Sequence, residues 1–226
     1  MKKLMILVSS YLLLTNNSYA ENRNFEGFFT QASIGYEQNT FTNTGIMDNH
    51  YGQPTSATYF TGTDASSSNT AFVLSAGYYA ALSNRFLLGV GFDYSVLKSK
   101  TSAPTYMNFN QIISGPISFE ISGKRAVYLS PAVAVDEKSI VYGKLGLTQQ
   151  NYKLNGNLAS STQVGGLIGV GYKRFMSSDL YAFVELNYYA YAETSKDLIN
   201  TTTMDIVNMR PGASAYNALV GIGYKY

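Results

Sequence analysis

One feature constrains this chain more than any other: a two-residue alternation of apolar with small or polar side chains that recurs eight times. Successive strand residues point to opposite faces, so each such segment has one greasy side and one wet side. The segments cover residues 28–37, 72–78, 86–95, 127–135, 141–148, 164–173, 182–190 and 216–226. In the third, Phe86, Leu88, Val90, Phe92 and Tyr94 share one face, and Gly89, Gly91, Asp93 and Ser95 the other. Most approach the roughly 9–11 residues that a tilted strand needs to cross a bilayer. The expected fold is all-β: a transmembrane antiparallel up-and-down barrel of eight strands, apolar outside and polar within.

The connections alternate in length, which supports the same fold. Short ones fall near 82–84, 136–139 and 176–179; long ones cover about 39–68, 97–126, 149–162 and 193–212. Short periplasmic turns and long extracellular loops are the asymmetry expected of an outer-membrane barrel, with both termini periplasmic. Aromatics near the strand ends suit interfacial girdles: Phe92, Tyr94, Tyr188, Tyr191 and Tyr216 on the loop side, and Phe28, Phe86, Tyr172, Tyr224 and Tyr226 on the turn side. Two features strain the scheme. Pro131 lies inside the fourth segment without a ladder donor, so a bulge or bend is expected there. Residues 117–125 keep that segment's parity, with Ile117, Phe119 and Ile121 on its outward side, so the strand should rise above the membrane as a hairpin.

The inward parity carries most of the strand glycines, among them Gly35, Gly77, Gly89, Gly91, Gly171 and Gly223, which are expected to make room for long charged side chains in a narrow tube. It also carries Glu37, Asp93, Lys144, Lys173, Glu185 and Lys225. Charges inside a membrane-embedded tube must pair or be wetted. These six are therefore expected to form a structural lumen network, for example Glu185 with Lys144 or Lys173.

The N-terminus is a separate element. Lys2 and Lys3, the apolar stretch 4–14, and Ser18-Tyr19-Ala20 form the three parts of a cleavable signal peptide over residues 1–20, so the barrel domain is 21–226. Removing Lys2 and Lys3 from the 16 basic residues leaves 14 against 14 acidic, a balance that gives no reason to expect nucleic-acid binding. No cysteine is present, so disulfides and thiolate metal sites are excluded.

The last strand, with Tyr216, Ala218, Val220, Ile222, Tyr224 and Tyr226 on one face, resembles the terminal strand of small outer-membrane barrels. The stretches 142–146 (YGKLG) and 166–171 (GLIGVG) and the start at Gly27-Phe28-Phe29 extend the likeness. The chain resembles the opacity-protein and OmpA-like ("porin family") eight-stranded barrels. That resemblance implies recognition of the terminal strand by the barrel-assembly machinery, a setting in outer-membrane lipid and lipopolysaccharide, and a structural, adhesive or surface role.

Catalytic chemistry finds little support. His50, in the first long connection, is the single histidine, with Asp48 its one obvious acidic neighbour. A metal site needs several converging ligands, and a serine nucleophile needs a base within reach. The run 165–171 lacks the Lys-Ser/Thr ending of a phosphate loop. No cofactor and no catalytic residues are expected. Eight strands leave little bore, so a structural plug is favoured over a narrow pore for solutes or ions, and a lipid-modifying enzyme ranks last. Aromatic and apolar residues among Ser, Thr and Asn in the long connections, such as Tyr51, Tyr59, Phe60 and Phe109, allow for an extracellular ligand.

Overall fold

The computed structural model describes residues 22–50, 58–60, 65–103, 107–108, 111–112, 117–154, 159–193, 196–200 and 205–226. The expected signal peptide lies outside them. Eight long strands follow one another around one sheet: β1 (Gly27–His50), β2 (Ala65–Ala81), β3 (Phe86–Ser95), β4 (Ile117–Asp136), β5 (Ser139–Leu154), β6 (Ala159–Phe175), β7 (Leu180–Tyr191) and β8 (Asp205–Lys225). Each pairs antiparallel with its neighbours in sequence, and β1 pairs with β8 to close the ring. Closure leaves no edge, so every backbone amide at membrane depth is met within the sheet. Short pieces extend it at the loop end: Thr58–Phe60 on β1, Ser99–Ala103 on β4 and Lys196–Asn200 on β8.

The alternation places side chains as the pattern requires. Leu145, Leu147 and Ile168 are 65%, 64% and 59% exposed on the outside, while Tyr142, Lys144 and Leu167, of the opposite parity on the same strands, are buried. The outward set also includes Phe28, Phe86, Val90, Val127, Leu186 and Ile222. Three tight turns, at 82–85, 137–138 and 176–179, join strands at one end, and Gly27 and Lys225 sit at that same end. One expected girdle residue is misplaced: Tyr191 is buried and stacks on Tyr189, because it has the inward parity of β7.

The long connections are shorter than expected, because strands continue through them. β1 runs to His50, whose backbone opposes Asp205 of β8, so His50 ends a strand and is not in a loop. Above the lipid level neither face of a strand must be apolar. Ser, Thr and Asn then occupy both faces, and the alternation that reveals a strand disappears.

The bulge also lies elsewhere. The β4–β5 register is unchanged across Pro131, with Leu129 opposite Leu145 and Ala132 opposite Tyr142. Ser130 Oγ donates to the carbonyl of Gly143 at 2.9 Å, supplying a bond beside the proline that lacks a donor. The register shifts instead between Ala134 and Asp136, beside the turn, and between Ser122 and Arg125, at Gly123, whose φ of 60° is left-handed. A glycine in that conformation is what a G1-type bulge needs. The extra residue reverses the faces of β4 beyond it, so Ile121, expected outward, is buried, while Lys124 keeps the inward parity of Ala126 and Tyr128.

Candidate functional site

The barrel interior collects the polar chemistry in three tiers. At mid-height, Lys144 Nζ on β5 lies 2.8 Å from Asp93 Oδ2 on β3 and 2.7 Å from Glu185 Oε1 on β7. In a ring of eight, β3 and β7 are diametrically opposed, so this bridge crosses the whole bore. Tyr142 Oη donates to Glu185 Oε2 at 2.7 Å and Asn187 Nδ2 donates to Oε1 at 2.7 Å. Asn187 also donates to Asn217 Oδ1 at 3.0 Å, and the Tyr128 ring lies 4.2 Å beneath the ammonium. Every partner of Glu185 is therefore a donor, as a buried carboxylate requires.

Toward the loop end, Glu37 pairs with Lys124 at 2.7 Å, and Asn39 Nδ2 donates to Glu37 Oε1 at 3.1 Å. Lys124 shares the inward parity of Tyr128 and Ser130, so the alternation itself adds it to the six expected members. A cavity of about 10 Å³ between Asp93, Lys124 and Asn217 has room for about one water.

Toward the turn end, Lys173 lies in a cage of rings, 4.2 Å from Phe29, 4.7 Å from Tyr142 and 5.2 Å from both Tyr79 and Tyr181. Desolvated cation–π contacts of this kind hold an ammonium without a carboxylate. Of the two lysines considered for Glu185, Lys144 makes the ion pair. Lys225, the sixth expected member, is half-buried at the rim and lines a cavity with Phe25 and Lys173. A single 3₁₀ turn, Asn22–Phe25, caps this end: Phe25 packs 4.4 Å from Phe175, and Asn24 donates to the carbonyl of Glu137. The buried charges are Glu37, Asp93 and Glu185 against Lys124, Lys144 and Lys173, so the tiers balance only when Lys173 is included.

The inward glycines serve rings more than charges. Gly91 stands opposite Tyr128, Gly171 opposite Tyr142, and Gly223 opposite Tyr181. A Cβ at any of the three would fall inside the facing ring. Each aromatic thus lies flat over a neighbouring strand where no side chain stands, and several of the ring hydroxyls reach polar partners across the bore. The sequence expectation that glycine space goes to long charged side chains is corrected accordingly.

Among the described residues no group of His, Cys, Asp and Glu could hold a metal ion. The His50 side chain lies outside the described set.

No family model and no curated protein matches the chain. Among solved structures it is similar to the outer membrane protein OprG from Pseudomonas aeruginosa, at 12% identity over 89% of this chain and 96% of that one, with a TM-score of 0.63. It is also similar to the outer membrane protease OmpT from Escherichia coli, at 9% identity over 89% and 97% with a TM-score of 0.50. Ail, the attachment invasion locus protein of Yersinia pestis, is 16% identical over 89% and 99% with a TM-score of 0.43. With its ring of eight paired strands, and with OprG and OmpT alongside, the chain has the closed antiparallel fold of bacterial outer-membrane β-barrels.

Proposed function

We propose that the chain is an integral outer-membrane barrel with a structural or surface-interaction role, non-catalytic and sealed along its bore. The observation that carries the reading is the Asp93–Lys144–Glu185 bridge, which joins opposite walls inside a wall whose outer face is continuously apolar. An exposed apolar surface of that extent is at home in lipid and not in water. A conducting path needs a wetted lumen, whereas here the mid-height groups are committed to one another. In this reading the turn end and both termini are periplasmic, and the strand extensions stand outside the cell, where contact with other molecules takes place.

Purified protein should migrate differently on unboiled and boiled gels, fractionate with outer membranes, and give no conductance steps in a planar bilayer. A soluble periplasmic species would end the membrane reading; reproducible unitary steps would replace the plug with a pore. Altered lipid A or phospholipid on overexpression would instead point to catalysis.

The terminal strand is the part we assign to the assembly machinery. Tyr216, Val220, Ile222, Tyr224 and Tyr226 all face outward and are exposed, and Ala218 shares their face. Truncation before Tyr224 should lower the amount of heat-modifiable protein in outer membranes several-fold while export continues. An unchanged amount would remove that role.

A further inference from the structure

The charges outside the lumen are unevenly spread. At the turn end Arg85, Lys138, Arg174 and Lys225 are interspersed with Glu26, Asp136, Glu137 and Asp179. At the loop-side rim, the outer face over β3–β5 carries Lys98, Lys100, Arg125 and Lys153, all exposed, against Glu120 alone. Register places them together: Glu120 of β4 stands opposite Lys100 on one side and Lys153 of β5 on the other. Lys98 Nζ donates to Glu120 Oε1 at 3.1 Å, and this bond holds the Glu120 carboxyl below its ordinary range. One carboxylate cannot neutralise four cations, so the face keeps a positive excess, although the chain beyond residue 20 has equal numbers of basic and acidic residues.

The level of this patch points to its partner. Arg125 stands beside Tyr94, next to the outward residues Val96, Leu97 and Val127. At about 3.3 Å per residue and a tilt of about 40°, the Lys100–Glu120–Lys153 row lies roughly 10 Å farther from the apolar belt than Arg125. Cations thus sit at headgroup depth directly over a surface shaped for acyl chains. A soluble anion would use the upper half of this arrangement only. An amphiphile with clustered phosphates would use both.

Building on the outer-membrane reading, we propose that Lys98, Lys100, Lys153 and Arg125 form a docking site for the phosphorylated headgroup of an outer-leaflet glycolipid, with its acyl chains against the adjoining apolar face. The test uses the full chain, folded in detergent, with bis-phosphorylated lipid A, its dephosphorylated form and inorganic phosphate, read by native mass spectrometry. The phosphorylated lipid should bind at least tenfold tighter than the dephosphorylated form, and millimolar inorganic phosphate should not displace it. The triple variant Lys98→Gln, Lys100→Gln, Lys153→Gln should lose that preference while remaining heat-modifiable. Equal binding of the two lipids, displacement by inorganic phosphate, or an undiminished triple variant would each overturn the site. Those outcomes leave the barrel reading standing, whereas failure of the wild-type chain to shift on unboiled gels would overturn that reading first.

Discussion

Replacing Lys144 by Met should destabilise the folded barrel by about 3–5 kcal/mol, the usual cost of stranding a buried charge by removing its partner. Met nearly matches the lysine stem in volume, so packing changes little, but Asp93 and Glu185 then face each other across the bore with no cation between them. Tyr142 and Asn187 would still donate to Glu185, yet they cannot offset two carboxylates on opposite walls. Urea-driven unfolding from lipid vesicles measures the loss. A triple variant, Asp93→Asn, Lys144→Met, Glu185→Gln, should recover most of it, because no buried charge is left unmatched. The exposed pair Lys98–Glu120 provides the contrast, since Lys98→Met should leave stability essentially unchanged. If Lys144→Met costs no more than that, the bridge does not hold the barrel together.

This result depends on positions that were only half legible in the sequence. Strand number, order and the outward face follow from the period-two pattern, because lipid demands an unbroken apolar side wherever it touches the chain. Glu37, Asp93, Lys144, Lys173 and Glu185 were readable as inward on parity alone. Their pairing was not. Parity says which wall a residue leaves, but the partner depends on height and azimuth around the ring, which are set by register. Lys144 reaches Glu185 two strands away while Lys173, on the strand adjacent to that carboxylate, is enclosed by rings. Ile121 was misread because Gly123 inserts one residue and exchanges the face beyond it, whereas Lys124 keeps the inward parity of Ala126 and Tyr128. The polar strand ends were illegible for a different reason, since no lipid imposes a pattern there. A glycine between two polar residues, Ser122 and Lys124, at the junction of two alternating apolar runs is the signal that would have located the bulge.

The second large effect tests the ring-over-glycine packing. Gly171→Val should destabilise by about 1–3 kcal/mol or somewhat more, as overpacking of a filled interior does. The new Cβ would meet the Tyr142 ring, with Cε1 only 2.7 Å away. That ring cannot swing aside cheaply, because its hydroxyl is bonded to Glu185 at 2.7 Å, so a steric change is converted into a loss at the charge bridge. The matched control lies on the same strand. Gly166 faces outward, and a Cβ added there would meet nothing within 4 Å. Gly166→Val should be neutral or slightly stabilising, since Val suits a strand facing lipid better than Gly. In a Tyr142→Leu background the cost of Gly171→Val should shrink, because the ring it collides with is gone; the difference is the coupling energy of the pair. Equal costs at Gly171 and Gly166, or no coupling to Tyr142, would mean that the glycines leave their space unused and that the interior yields more readily than a close-packed one.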